Sequence, residues 1–224
     1  MGKPTGLAAM EVATESGGLR LTSVARLSGD NAILGWIDQI AGDGPCVCAV
    51  DAPLVIPNAT GIRLGERELN AVYRKYHAGC HPGNLGRPFA AYVTGFSCAL
   101  EARGFVHGPG AAGAPRQQIE VHPHAASVSL FGLDRIVKYK KGLRADRARE
   151  LERLRGLIMS RLGIEQGLEL IPVVPSTGDL KVAEDQIDAV TCAVIAHSWW
   201  RWGEGDRNIV FGNATDGYVV VPRA

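Results

Sequence analysis

One segment, CVCAVDAPLVIP at residues 46–57, constrains the fold of this chain most strongly. Its first five residues form an unbroken apolar run, which is typical of a strand buried on both faces of a parallel sheet. Asp51 follows the run, and Pro53 and Pro57 end the regular structure. Because an ionised carboxylate at the end of a buried strand is costly without a partner, Asp51 is expected to have a specific role. The segment therefore predicts a strand over residues 46–52 within an α/β sheet.

Strand and helix patterns alternate along the rest of the chain. Gly17 and Gly18 separate two short apolar segments and predict a β-hairpin. The Gly/Ala/Pro-rich residues 106–118 predict a surface loop. The other predicted elements are helices within residues 28–44, 63–78, 87–105, 143–162 and 181–200, a strand at 119–123, and two short strands within 207–222. This order predicts a single α/β domain spanning residues 1–224.

Composition narrows the class of protein. Lys and Arg total 24 against 23 Asp and Glu, so net charge neither indicates nor excludes a polyanionic partner. Five cysteines form no regular disulfide framework. The sequence has no signal peptide and no apolar run approaching about 18 residues. These features predict a reduced, cytoplasmic protein with no membrane association.

Four carboxylates fall at positions that a sheet and a helix can bring together. Asp51 and Glu120 each end an apolar strand before a proline-containing loop, at the edge where open α/β sheets bind ligands. Asp185 and Asp188, three residues apart, share one face of a helix. Because clustered carboxylates repel one another unless a hard cation binds, the pattern predicts Mg²⁺ or Mn²⁺. Asp51, Glu120 and one or both of the helical aspartates would bind such ions, which activate water in phosphodiester hydrolysis.

A structural alternative gives each carboxylate a local task. Asp51 would cap the following turn, and Glu120 would pair with an arginine. Asp185 and Asp188 would lie in the solvated first turns of a helix, where acidic residues interact favourably with the helix dipole. Each residue taken alone is compatible with either interpretation.

Basic residues concentrate in residues 135–161, which hold ten Lys or Arg and three acidic residues. Contact with a phosphate backbone is the functional interpretation, and a solvated helix face with local ion pairs is the structural one. The segment KYKKG precedes the predicted helix and is the part we expect to bind. The predicted substrate-binding residues are Lys138, Lys140 and Lys141, with Arg63 and Arg67 in a second, smaller basic group.

Six segments carry a family resemblance. In chain order they are CVCAVDAPLVIP, GERELNAVYRKY, IEVHPHAA, LFGLDRIVKYKKG, EDQIDAVTCAVIAH and DGYVVVP. Together they resemble the predicted ribonuclease-H-like nucleases of the domain of unknown function 429 family. The resemblance implies a ribonuclease-H-like mixed sheet flanked by helices, with Asp51 on the fourth strand and Asp188 on a late helix. It also implies that Glu120 lies on the strand next to Asp51. On this resemblance, Asp51, Glu120 and Asp188 would be the metal ligands and catalytic residues, with Asp185 as an auxiliary.

The chain departs from the family pattern at its start. The family's first strand, a central one ending in an aspartate, is missing ahead of the hairpin. The true start could lie upstream of Met1, the hairpin could pair directly in a diverged member, or residues 5–13 could replace the strand with Glu11 as a poor ligand. Two functions follow: a divalent-metal-dependent nuclease, impaired by the lost aspartate, or a non-catalytic nucleic-acid or nucleotide-binding module.

Overall fold

A computed structural model describes residues 4–12 and 18–223 of the chain. Its strands are β1 (Thr5–Val12), β2 (Leu19–Leu27), β3 (Cys46–Val50), β4 (Val106–His107), β5 (Arg116–Glu120), β6 (Ile164–Gln166), β7 (Asn208–Asn213) and β8 (Gly217–Pro222). Its α-helices are α1 (Asp30–Ala41), α2 (Leu64–Tyr73), α3 (Ala90–Glu101), α4 (Pro123–Phe131), α5 (Arg144–Arg161) and α6 (Lys181–Trp202). Short 3₁₀ helices cover Arg74–Tyr76 and Leu168–Leu170. The mixed α/β fold class is confirmed, while the ribonuclease-H-like topology stays a prediction.

The chain divides into two compact units, each made of two stretches of sequence. The first unit contains residues 1–40 and 137–194, and the second contains 41–136 and 195–224. The prediction that residues 1–224 form one domain stays a prediction. No helix within the described ranges is long and apolar enough to cross a membrane.

The first unit contains a three-stranded sheet in the order β1-β2-β6. β1 and β2 are antiparallel, which confirms the predicted hairpin, and β6 joins β2 in parallel. The predicted turn residue Gly17 lies outside the described residues. α5 buries Leu151, Leu154 and Ile158, three of the apolar residues whose helical spacing predicts this helix.

The second unit contains a parallel sheet in the order β3-β5-β4 and the antiparallel β7–β8 hairpin. An isolated parallel bridge joins Val121, directly after β5, to Val220 of β8. Helices α2 and α4 share a core with this hairpin. Its buried residues are Leu69, Tyr73, Ala78, Ala125, Val128, Phe211, Val219 and Val221.

The prediction that the strand at residues 46–52 is buried on both faces is wrong. β3 ends at Val50, and each of its five residues is only partly buried. β3 is the edge strand of its sheet and, among the described residues, pairs with β5 alone. An unbroken apolar run therefore marked a strand correctly but did not fix its position within the sheet.

The prediction of a loop over residues 106–118 is also wrong in part. β4 lies inside that range, and β5 begins at Arg116 rather than at residue 119. The first residues of β5 are polar, so an apolar pattern does not indicate where the strand starts. Gln118 is fully buried, and its Nε2 donates to two backbone carbonyl oxygens at 3.3 and 3.4 Å. A satisfied amide can occupy a buried strand position that an apolar pattern does not indicate.

Gly65, in the first turn of α2, lies against the backbone of the β7–β8 hairpin. A Cβ at Gly65 would lie 2.7 Å from the Phe211 carbonyl oxygen and 2.8 Å from the Tyr218 Cα. Because backbone cannot rotate away, we expect Gly65→Ala to lower the free energy of unfolding by about 1–3 kcal/mol. Gly95→Ala in α3, where no described atom lies within 4 Å of the added Cβ, is expected to raise it by about 0.5–1 kcal/mol. Denaturant unfolding of both variants checks this, and effects of the same sign would contradict it.

Candidate functional site

Asp51 lies directly after β3, with its side chain 40% exposed. β3 and β5 run parallel with Val50 opposite Glu120, so the two predicted acidic positions occupy the same edge of the sheet. The His122 Nδ1 lies 3.9 Å from the Asp51 Oδ1. Asp51 therefore has an imidazole beside its carboxylate.

Glu120 is almost fully buried, and both of its carboxylate oxygens accept hydrogen bonds. Arg63 donates from Nη2 to Oε1 at 2.5 Å and from Nη1 to Oε2 at 2.8 Å. The Leu54 backbone N–H donates to Oε2 at 2.9 Å. Burial raises the pKa of Glu120 to about 7, while the Arg63 guanidinium acts in the opposite direction. Glu120 thus pairs with an arginine, as the structural alternative predicted.

Arg63 occupies the N-cap of α2 and is only 3% exposed. Its Nε donates to the Glu66 Oε1 at 2.9 Å, and its Nη1 also donates to the Val55 carbonyl at 2.9 Å. Burial alone would lower the pKa of Arg63, but the contacts with Glu120 and Glu66 raise it. The predicted substrate contact by Arg63 does not fit this position, because its guanidinium is enclosed by protein acceptors. Arg67, one turn further along α2, is exposed.

Asp188 lies within the first unit, on α6, and anchors the KYKKG segment. The Tyr139 hydroxyl donates to the Asp188 Oδ1 at 2.5 Å, and the Lys140 Nζ lies 2.9 Å from its Oδ2. The Asp188 side chain is only 14% exposed. Lys140, predicted to contact substrate, is therefore ion-paired within the protein.

Asp185 and Glu184, on the same helix, also have cationic partners. Arg26 of β2 donates from Nε to the Asp185 Oδ2 at 2.9 Å, and the Lys181 Nζ lies 2.6 Å from its Oδ1. Arg147 forms an ion pair with the buried Glu184. The acidic face of α6 is therefore neutralised by basic side chains of its own unit.

These contacts decide how well the carboxylates fit a divalent ion. Glu120, Asp185 and Asp188 each have a cationic partner within the protein. Among residues 4–12 and 18–223, no group of three or more His, Cys, Asp and Glu side chains is arranged to hold a metal ion. In this arrangement the three carboxylates do not fit a Mg²⁺ or Mn²⁺ site, since a cation already takes the place of the ion. The metal stays a prediction.

Helix α5 and the segment before it differ in whether their basic side chains form ion pairs. On α5, Arg149, Arg153 and Arg155 each pair with an acidic residue three positions earlier, at 2.7, 3.4 and 3.1 Å. Lys138 and Lys141 are exposed and make no ion pair within the described part of the chain. The helix matches the structural interpretation of the basic run, and the segment before it retains uncompensated charge.

Two residues of this chemistry are not among the predicted site residues. Glu66 lies three positions after Arg63, a helical spacing that allows an ion pair. Tyr139 alternates with lysines, and alternation in an extended segment indicates one inward side chain between two outward ones. Tyr139 is 2% exposed, as that alternation implies.

Asp51 is expected to set the charge of His122. Burial lowers the pKa of His122, but its interactions with Asp51 and Cys80 outweigh burial and raise the pKa to about 10. A histidine whose pKa is raised on folding stabilises the protein below its unfolded pKa, and this contribution is lost as pH rises through about 10. We expect Asp51→Asn to lower the His122 pKa by about 1 pH unit or more, measured by NMR titration of its ring proton. Asp43→Asn, an exposed position, is the control, and equal shifts in both variants would contradict the assignment.

The comparisons with known proteins concern the family alone. No curated protein and no solved structure matches the chain. A family model described as "Protein of unknown function (DUF429)" matches residues 2–216, nearly the whole chain. This match confirms the resemblance carried by the six sequence segments, and the chain belongs to the domain of unknown function 429 family.

Proposed function

We propose that the chain binds the phosphate backbone of a nucleic acid through Lys138 and Lys141. One observation carries this proposal. These two lysines are exposed and make no ion pair within the described residues, and the segment between them is held by a hydrogen bond from the Tyr139 hydroxyl to Asp188. Phosphate backbones are recognised by such uncompensated Lys and Arg side chains.

The segment is anchored at its centre by Tyr139. Its hydroxyl donates to Asp188, and its carbonyl oxygen accepts from the Arg147 Nε at 3.0 Å. The ion pair between Lys140 and Asp188 adds a third attachment. Because the backbone is already held, binding an anion costs less conformational entropy than it would on a free loop.

The second unit has its own exposed basic side chains. Arg67 on α2 and Arg74 after it make no ion pair within residues 18–223. Both side chains are available to contact phosphate. We also propose that this binding takes place in the cytoplasm, since the five cysteines form no regular disulfide framework.

A divalent-metal-dependent nuclease is the second candidate. It is favoured by Asp51, an exposed carboxylate at the carboxyl edge of a parallel sheet and next to the strand of Glu120. Binding of Mg²⁺ or Mn²⁺ there would require other carboxylates to release their basic partners. A Mn²⁺-dependent rise in melting temperature that Asp51→Asn removes would support this candidate, and no shift in the parent protein would count against it.

The binding proposal is tested by titrating a fluorescent single-stranded oligonucleotide and its duplex with the protein at several salt concentrations, in EDTA. Two phosphate contacts predict that log K falls with log[salt] with a slope of about −1.5 or steeper. Binding that is absent at low salt, or unaffected by salt, would overturn the proposal. Repeating the titration with Mn²⁺ and analysing the oligonucleotide for cleavage separates binding from nuclease activity.

A further inference from the structure

We infer that the second unit carries a separate binding site for a planar organic cation, in a cavity of about 580 Å³ between the Gly/Ala-rich loop and the end of α6. Cavities of about 300–1,000 Å³ with mainly apolar walls and a few polar groups are typical small-molecule sites. The lining residues that matter for ligand chemistry are Pro45, Gly110, Gln117, Trp199, Trp200 and Glu204.

The cavity has an ordered wall. Trp199 is 4% exposed, and its Nε1 donates to the Gln117 Oε1 at 2.7 Å, which fixes the indole. Gly108 lies directly against this ring, since a Cβ there would come within 2.8 Å of the Trp199 Nε1. The loop therefore approaches the indole as closely as a glycine backbone permits.

Trp200 supplies the surface for a flat ligand. It lines the same cavity, yet 54% of the residue remains exposed. An exposed indole offers a π face on which a planar ring can stack, and its negative face attracts cations. The ligand would gain apolar burial and a cation–π contact from one side chain.

Charge selects a cation over an anion. Among the lining residues that the structure describes, Glu204 is the charged side chain, and it makes no ion pair within the described ranges. None of the described lining residues is basic, so a phosphate or carboxylate would be repelled by Glu204. An aromatic cation complements both Trp200 and Glu204.

The described lining of the cavity includes none of the residues proposed to contact phosphate. Its lining includes Pro45 and Pro115, which immediately precede β3 and β5. Asp51 and Glu120 lie at the other ends of these parallel strands. A ligand in the cavity would therefore lie away from Asp51 and Glu120.

The test is calorimetric titration of the full chain with N-methylnicotinamide cation and with neutral nicotinamide, which share a ring but differ in charge. We expect saturable binding of the cation about five- to tenfold tighter than of nicotinamide. Glu204→Gln should narrow that difference, and Trp200→Ala should abolish binding of both compounds.

Trp202→Ala is the matched control, because Trp202 is also exposed, at 50%, but stacks with Arg201 outside the cavity lining. It should leave both affinities unchanged, and circular dichroism should show all three variants folded. Equal affinity for the two compounds, no saturable binding, or an equal loss in Trp202→Ala would overturn the inference.

Discussion

Replacing Arg63 by methionine is expected to lower the free energy of unfolding by about 3–5 kcal/mol. Arg63 holds both oxygens of the buried Glu120 and one oxygen of the buried Glu66. Methionine keeps most of the side-chain volume but leaves two buried carboxylates without their cation. Breaking a buried pair costs far more than the intact pair contributes, because the remaining charge stays desolvated. Denaturant-induced unfolding of the parent and the variant measures the difference.

The loss should depend on pH in a specific direction. Without Arg63, burial remains to raise the pKa of Glu120, so the folded state binds a proton more readily than the unfolded state. Stability of Arg63→Met should therefore fall as pH rises from 5 to 8 by more than that of the parent. Adding Glu120→Gln to the variant should recover part of the loss at pH 8, since the amide carries no charge.

The control for Arg63→Met is Arg67→Met on the same helix. Arg67 is exposed, so this change should alter the free energy of unfolding by no more than about 0.5 kcal/mol. If the two variants were equally stable, the ion pair between Arg63 and Glu120 would not hold the second unit together.

The elements of the fold could largely be predicted from the sequence, because apolar residues recur at a fixed spacing along a helix and form short runs along a buried strand. The stripe on α5 and the apolar run of β3 were recognised in this way. β5 was recognised only at its apolar end, since Gln118 is buried through hydrogen bonds rather than through apolar character. Strand position within a sheet was not predictable, because it depends on which distant strands pair.

The partners of the carboxylates were also not predictable from sequence patterns. Their positions at a strand end and on one helix face followed from the sequence, but their partners did not. Glu120 pairs with a residue 57 positions away, and Asp188 with one 49 positions away. A carboxylate that binds a metal ion and one that pairs with a guanidinium are the same residue type. Which partner it has therefore depends on the tertiary arrangement.

Asp188 holds the segment that contains the lysines of the proposed binding site. Its carboxylate accepts from Tyr139 and Lys140, so an acidic residue holds the basic segment in place. Lys138 and Lys141, on either side of Tyr139 and Lys140, are exposed and make no ion pair within the described residues. An acidic residue that resembles a metal ligand in the sequence can thus support binding of an anion by positioning neighbouring lysines.

The double change Lys138→Gln and Lys141→Gln is expected to weaken nucleic-acid binding at low salt roughly tenfold or more. It should also reduce the slope of log K against log[salt] by about 1.5, because two phosphate contacts are lost. Both side chains are exposed, so the free energy of unfolding should change little. Fluorescence anisotropy across a salt series measures both quantities on the same samples.

The matched control is Arg149→Gln with Arg153→Gln on α5, which removes the same two positive charges. These arginines already pair with Asp146 and Glu150, so their charge is compensated locally. Their loss should leave the salt slope nearly unchanged. If both double variants lowered affinity and slope equally, binding would depend on net charge, and the anchored lysine segment would have no special role. A weakened slope confined to the Lys138 and Lys141 variant would instead locate the phosphate contacts on that segment.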